Sequence, residues 1–254
     1  MAMPAPVKIF GENFLHPACT VTASTGAEAD CLCDGNPRTV WRSSGSNDTV
    51  AETITAGFAT QAGTECSVMF DRIILQNTNA ARISAVYITP DNTCVAIPEA
   101  ALDGIIADSV IIELPQPVTA KSVTLTLHAT QTADDEKYLG GLKFCKSIMS
   151  LSNTLTAFSR SDYVKQGDYY LASGSLVHWR EYRKAGGTLC VENLTLADRN
   201  TLNQAINAQE FLTVSFLDDV SPGEVYEFFV SSAPSEEFDR TTMRYTCEFQ
   251  VKER

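Results

Sequence analysis

Residues 122–128, Ser122-Val-Thr-Leu-Thr-Leu-His, alternate without a break. In an extended chain Val123, Leu125 and Leu127 fall on one face and Ser122, Thr124, Thr126 and His128 on the other, so one face packs while the other meets water. A period of two predicts a half-buried strand. The same texture recurs outward from it. Thr20–Ala23, Glu52–Phe58, Cys66–Gln76, Ile83–Thr89 and Val110–Leu114 read as further strands, separated by Asn, Asp, Gly and Pro clusters. Only Ile97–Ile106 has mild helical character, and Pro98 limits it. No helix of crossover length separates these strands. The first half is therefore expected to be mainly β, an antiparallel sandwich rather than a parallel α/β sheet.

The chain has 254 residues, 44% hydrophobic and 20% charged, which suits a globular protein of one large domain or two small ones. Its net charge of −12 argues against a general phosphate-backbone binder, which gains affinity by releasing counterions to a basic face. It also disfavours docking on anionic lipid. No nucleic-acid and no membrane partner is expected, whereas sugars, proteins and metal cations stay open. The first residues, Met-Ala-Met-Pro-Ala-Pro-Val-Lys, lack the apolar run of a secretory signal, and no stretch approaches the ~20 residues of a spanning helix. A soluble chain made in the cytoplasm is the expectation. Eight cysteines, at 19, 31, 33, 66, 94, 145, 190 and 247, are scattered rather than set in the close pairs of a zinc site, and reduced, buried thiols are expected.

From about Ser147 the texture changes to a Ser, Thr and Asn-rich stretch, which places a domain junction there: 1–147 and 148–254. Beyond it, Tyr169–Ala172 and Leu176–Tyr182 read as a hairpin around Ser173-Gly174-Ser175, followed by a strand at Thr188–Asn193. A helix over about 196–208 should begin after Thr195, whose hydroxyl can cap it while Asp198 sits at the positive end of the dipole. Leu196, Leu202, Ala205 and Ile206 make its expected apolar face. Phe211–Leu217, Val225–Ser231 and Thr242–Val251 close the chain as strands. The second unit is thus expected to be a small β-barrel or meander with one helix.

One element stands apart: Cys31-Leu-Cys-Asp-Gly-Asn-Pro-Arg-Thr-Val-Trp-Arg-Ser-Ser, residues 31–44. Asp34, Asn36 and Thr39 offer oxygens on one tight loop, and Gly35 permits backbone angles closed to other residues. Such a hard-oxygen cluster suits calcium; equally, it suits an Asx-type turn that aims Trp41 into a core. Together with Thr22-Ala-Ser-Thr-Gly, Phe70-Asp-Arg-Ile-Ile-Leu-Gln-Asn, Ile83-Ser-Ala-Val-Tyr-Ile-Thr, Ala120-Lys-Ser-Val-Thr-Leu-Thr-Leu and Leu139-Gly-Gly-Leu-Lys-Phe, this element resembles the coagulation factor 5/8 type C, or discoidin-like, domain of the galactose-binding-like family, over roughly residues 10–146. The resemblance implies a jelly-roll sandwich whose loops at one end hold sugars, lipids or proteins. It also implies a calcium ion at Asp34, Asn36 and Thr39, closed by a late glutamate, where this chain has Gly141. Arg38, Arg42, Asn47 and Asp48 are the candidate ligand-binding residues on the same loops, and none of those loops offers an obvious exposed aromatic.

The second half, from Tyr169 to Ile206, is similar in texture to phage tail and baseplate structural proteins. That resemblance implies a virion component, a homo-oligomer packed among other tail subunits, with the first domain facing a glycan or cell-surface receptor. A carbohydrate-binding module carrying an accessory β-domain is the alternative. Catalysis is not expected. His16, His128 and His178 lie in neither HxxxH nor HExxH spacing, Gly174-Ser-Leu-Val lacks the GxSxG frame, and there is no P-loop or GxGxxG. His178 and Trp179 could form a sugar platform, although a tryptophan in an alternating strand more often anchors a core. Arg180, Arg183 and Lys184 could grip an acidic neighbouring subunit or simply face water. Asp218 and Asp219 read as a hairpin turn.

Overall fold

In the computed structural model of the chain, the described residues are 7–11, 13–26, 29–36, 39–44, 50–101, 108–133, 135–151, 156–173, 175–209, 211–216 and 224–253. The chain divides into two compact units. One is built chiefly from Phe10–Ser147, with Ser215–Val225 added, and the other from Pro6–Ile9, Ile148–Val214 and Tyr226–Arg254.

Two antiparallel sheets make the first unit. The four-stranded sheet runs in the order Trp41–Arg42, Tyr138–Cys145, Val68–Thr78, Ser109–Ala120. The five-stranded sheet runs Thr20–Ala23, Glu52–Gly57, Ser122–Thr130, Ala80–Ile88, Cys94–Ala101. The alternating stretch lies at the centre of the second sheet, where Leu125 is opposite Ile54 on one side and Ala85 on the other. Val123, Leu125 and Leu127 are fully buried. On the wet face, the Thr55 and Thr124 hydroxyls meet at 2.9 Å. Burial of one face alone fixes this register, because a slip by one residue would turn the three apolar side chains into water. Between the sheets, Phe144 packs edge-on against Phe58 and Phe70, with ring centroids 5.0 and 5.2 Å away.

Ile97–Ile106 is a correction. Its first part belongs to the strand Cys94–Ala101, which carries Pro98, and residues 102–107 lie outside the described residues. This strand borders its sheet, as does Ser109–Ala120 with Pro115 and Pro117. Proline removes a ladder donor, so both borders resist pairing with another chain.

An eight-stranded sheet organises the second unit, and among the described residues it does not close into a barrel. Its path is Ser147–Leu151, Val7–Phe10, Phe211–Phe216, Glu224–Val230, Arg244–Glu253, Gly186–Leu194, Thr156–Arg160, with Ser235–Asp239 paired to Arg244–Glu253 off that path. The hairpin Tyr163–Tyr170 and Leu176–Lys184 forms a separate two-stranded sheet; Gly174 at its tip lies outside the described residues. So do Asp218 and Asp219, and the side chains of residues 179–183, including Trp179, Arg180 and Arg183.

The helix is Leu196–Ala208, capped by Thr195 as expected. Its hydroxyl accepts from the Asp198 N–H at 3.1 Å, and the Asp198 carboxylate accepts from the Thr195 N–H at 3.3 Å, a reciprocal capping box. Leu202 and Ala205 are buried, but Leu196 is 56% exposed. Six residues at about 100° each carry Leu196 off the stripe that Leu202 defines. Arg199 and Asn203 both donate to Glu236 on the neighbouring strand. The Arg199 bond, then the Asn203 bond, holds the Glu236 carboxyl below its ordinary value. That contribution is present at neutral pH, is lost as pH falls through the lowered value, and is worth at most about 1 kcal/mol at this partly exposed site.

None of the eight cysteines is in a disulfide. Burial raises the Cys247 thiol to about 11, so it stays protonated at neutral pH.

Thr195→Ala removes the cap acceptor. It should lower stability by about 1 kcal/mol, read as a shift in the urea midpoint with unchanged slope.

Candidate functional site in the loops around Trp41

Trp41 is fully buried, and its indole N–H donates to the Thr25 carbonyl at 3.0 Å. Gly26 crosses directly over this contact with φ +76°, and a Cβ there would stand 2.1 Å from the Arg42 carbonyl oxygen. Only glycine tolerates both the angle and the approach. The Thr22-Ala-Ser-Thr-Gly and Asp34-to-Trp41 elements, distant in sequence, are thereby pressed together.

Other loops fasten to the same place. Ser43 and Lys137 exchange bonds, the Ser43 N–H to the Lys137 carbonyl at 2.9 Å and the Lys137 N–H to the Ser43 hydroxyl at 3.0 Å. Lys137 is fully buried and its ammonium donates to the Val50 carbonyl at 2.8 Å. Asn79 pins the chain on either side of it, donating to the Glu136 carbonyl at 2.7 Å and accepting from the Tyr138 N–H at 3.0 Å. Ser24 donates its hydroxyl to Glu52, whose side chain is buried and whose Oε1 has no hydrogen-bond partner among the described residues.

On this frame sits Arg42. It is exposed and lies opposite Tyr138 in the strand register, its guanidinium 5.2 Å from the centroid of the half-buried Tyr138 ring. At that distance the guanidinium lies within cation–π range of the ring. Of the expected ligand-binding residues, Arg42 is placed here; Arg38, Asn47 and Asp48 lie outside the described residues. Tyr138 was missed because it comes from a strand start rather than from the loops. Its position directly before Leu139-Gly-Gly-Leu-Lys-Phe was the available signal.

Asp34, Asn36 and Thr39 do come together, but on each other. The Asp34 carboxylate accepts from the Asn36 N–H at 2.6 Å and from the Thr39 hydroxyl at 2.7 Å, and the Thr39 N–H donates to the Asn36 carbonyl at 3.1 Å. Both Asp34 oxygens thus close an Asx-type turn. Gly141 lies opposite Gln76, and no group of three or more His, Cys, Asp or Glu able to hold a metal exists among the described residues. Calcium wants six to eight oxygens, several of them charged. Among the described residues, the bonds of the Asp34 carboxylate run within its own loop.

Two further features bear on function. Ser84 and His128 are hydrogen-bonded at 2.7 Å on the wet face of the five-stranded sheet, yet the nearby Glu99 carboxylate is taken by Arg82 at 2.6 and 3.2 Å. That is a cross-strand polar pair on one face of the sheet. A cavity of about 300 Å³ also lies along the bordering strands, lined by Tyr87, Pro98, Leu114 and Pro115, with Gln116 as a polar edge.

No protein-family model and no curated protein matches the chain. Solved structures similar to it include a family 32 carbohydrate-binding module from Streptococcus pneumoniae EndoD, at 14% identity and TM-score 0.43, covering 53% of this chain and 99% of the module. A family 32 module from Clostridium perfringens NanJ in complex with galactose is 10% identical with TM-score 0.42, covering 55% and 99%. Chitosan-binding module 2 of a Paenibacillus sp. chitosanase/glucanase, in complex with chitotriose, is 15% identical with TM-score 0.41, covering 52% and 98%. Nothing in the comparisons supports a tail or baseplate relationship for the second half.

Gly26→Ala should cost about 2–4 kcal/mol, combining a left-handed backbone angle with overpacking against Arg42, and show as a lower urea midpoint. Calcium up to about 1 mM, where weak calcium modules fill, should leave the melting temperature unchanged; a dose-dependent rise would restore the metal site.

Proposed function

We propose that the chain is a non-enzymatic glycan-binding protein, its first unit the sugar-binding module and its second an accessory β-unit. The observation that carries this reading is the Arg42–Tyr138 pair. A guanidinium stacked on an aromatic ring offers rigid donors to the vicinal hydroxyls of a sugar, while the ring supplies apolar surface for its C–H groups. The loops beneath are tied by buried hydrogen bonds, so little ordering remains to oppose binding. Support also comes from the discoidin-like sequence elements, two of which meet at Gly26 and Trp41. This reading displaces the tail-subunit expectation, which has only the texture of residues 169–206 behind it.

A glycan array followed by calorimetry tests it. Arg42→Ala removes an exposed side chain without disturbing the core and should weaken binding on the order of 10- to 100-fold, the value of charge-assisted bonds. Tyr87→Ala, in the cavity along the bordering strands, should leave affinity unchanged. Loss with Tyr87→Ala and not with Arg42→Ala would move the site to that cavity. Silence across neutral and acidic glycans would end the proposal.

A further inference from the structure

The cavity of about 300 Å³ along the bordering strands stands where two irregularities of the first unit meet. In Ser109–Ala120 the register with Val68–Thr78 slips, so that Leu114, Pro115, Gln116 and Pro117 stand against the single residue Asp71. In Cys94–Ala101 the register with Ala80–Ile88 slips too, and Pro98 and Glu99 stand against Ser84. Each bulge bends its strand out of the ladder, and the cavity is lined from both, by Ile97 and Pro98 on one strand and by Leu114, Pro115 and Gln116 on the other. Bulges re-aim side chains and recur beside binding sites. Here they leave the core reachable at the border of the sandwich. Ile97 and Leu114 are core residues, 5% and 6% exposed, and Tyr87 packs against the same core.

The lining selects the ligand. Among the described residues no charged side chain lines the cavity, so an ion would lose its hydration there without a partner. Side-chain polar groups are confined to the Gln116 amide and the Tyr87 hydroxyl. They are too few for a sugar, whose hydroxyls each cost free energy when buried unbonded. Strand addition by another chain is disfavoured as well, because Pro98, Pro115 and Pro117 offer no N–H for pairing. An uncharged ring compound meets these constraints. An apolar cavity of about 150 Å³ takes benzene, so about twice that volume suits two fused rings. The two prolines bring C–H groups to its walls, which favour the electron-rich face of an aromatic ring over a saturated one.

We propose that this cavity is a second binding site of the first unit, for an uncharged two-ring aromatic molecule whose one hydroxyl or carbonyl group bonds to the Gln116 amide. It shares no residue with the Arg42–Tyr138 surface, so it stands whether or not that surface binds a glycan.

Fluorescence titration of the full chain with 2-naphthol tests it, with 2-naphthoate as the charged counterpart and decahydro-2-naphthol as the saturated one, both read by competition. Expected is saturable binding of 2-naphthol, with each counterpart weaker by about tenfold or more. Ala96 also lines the cavity and is exposed, so Ala96→Trp fills the space from outside the core and should weaken binding on the order of tenfold or more. Gln116→Leu, at another exposed position, should weaken 2-naphthol on the order of 3- to 10-fold, the value of one hydrogen bond, and leave naphthalene unchanged. Thermal melts without ligand verify that both variants remain folded. Absence of saturable 2-naphthol binding overturns the proposal, as does binding that Ala96→Trp leaves undiminished. Tighter binding of 2-naphthoate or decahydro-2-naphthol, or an equal loss of naphthalene with Gln116→Leu, overturns the assigned ligand class.

Discussion

The indole of Trp41 is the point on which the first unit depends. A fully buried tryptophan must satisfy its N–H, and Thr25 supplies the only kind of acceptor that does not add another side chain to a filled core, a backbone carbonyl. That bond demands that the chain at 25–26 lie directly on the Trp41–Arg42 backbone, and the approach excludes a Cβ at residue 26. Once the two segments touch, Arg42 has a fixed base, Ser43 can exchange bonds with Lys137, and Tyr138 falls opposite Arg42. The candidate sugar site is a consequence of how a core tryptophan is seated.

Polar groups beneath the loops reinforce this. Lys137 and Asn79 are buried yet bonded to backbone carbonyls, which converts residues 136–138 from a connection into a rigid ledge. Burying such groups costs several kcal/mol unless they are bonded, so the loops hold together as a set. Asp34 works the same way at smaller scale. Its carboxylate accepts from Asn36 and Thr39 and so ties its own loop together.

The sandwich was legible because its strands obey a period of two with a buried face, as Val123, Leu125 and Leu127 show. The helix was legible because Thr195 and Asp198 stand at capping distance. Of Ile97–Ile106, read as mildly helical, the part up to Ala101 is strand because membership there comes from pairing with Ala80–Ile88, which overrides local propensity, and Pro98 is harmless on an outer strand. Of the two forms expected for the second unit, barrel or meander with one helix, the described residues give open antiparallel sheets with one helix. Alternation tells that strands have one wet face, but closure depends on whether the outermost strands meet, and among the described residues they do not.

By itself the sequence determined the period, the turn chemistry and the charge: a mainly β chain, a turn at Asp34, a capped helix and an acidic surface. Those follow from local spacing and composition. Tertiary structure alone decided that Arg42 lies over Tyr138, that the Asp34 oxygens bond within their own loop, and that the 163–184 hairpin pairs with nothing but itself among the described residues. Each joins or separates residues through contacts between strands, and no local pattern in the chain encodes which strands will be neighbours.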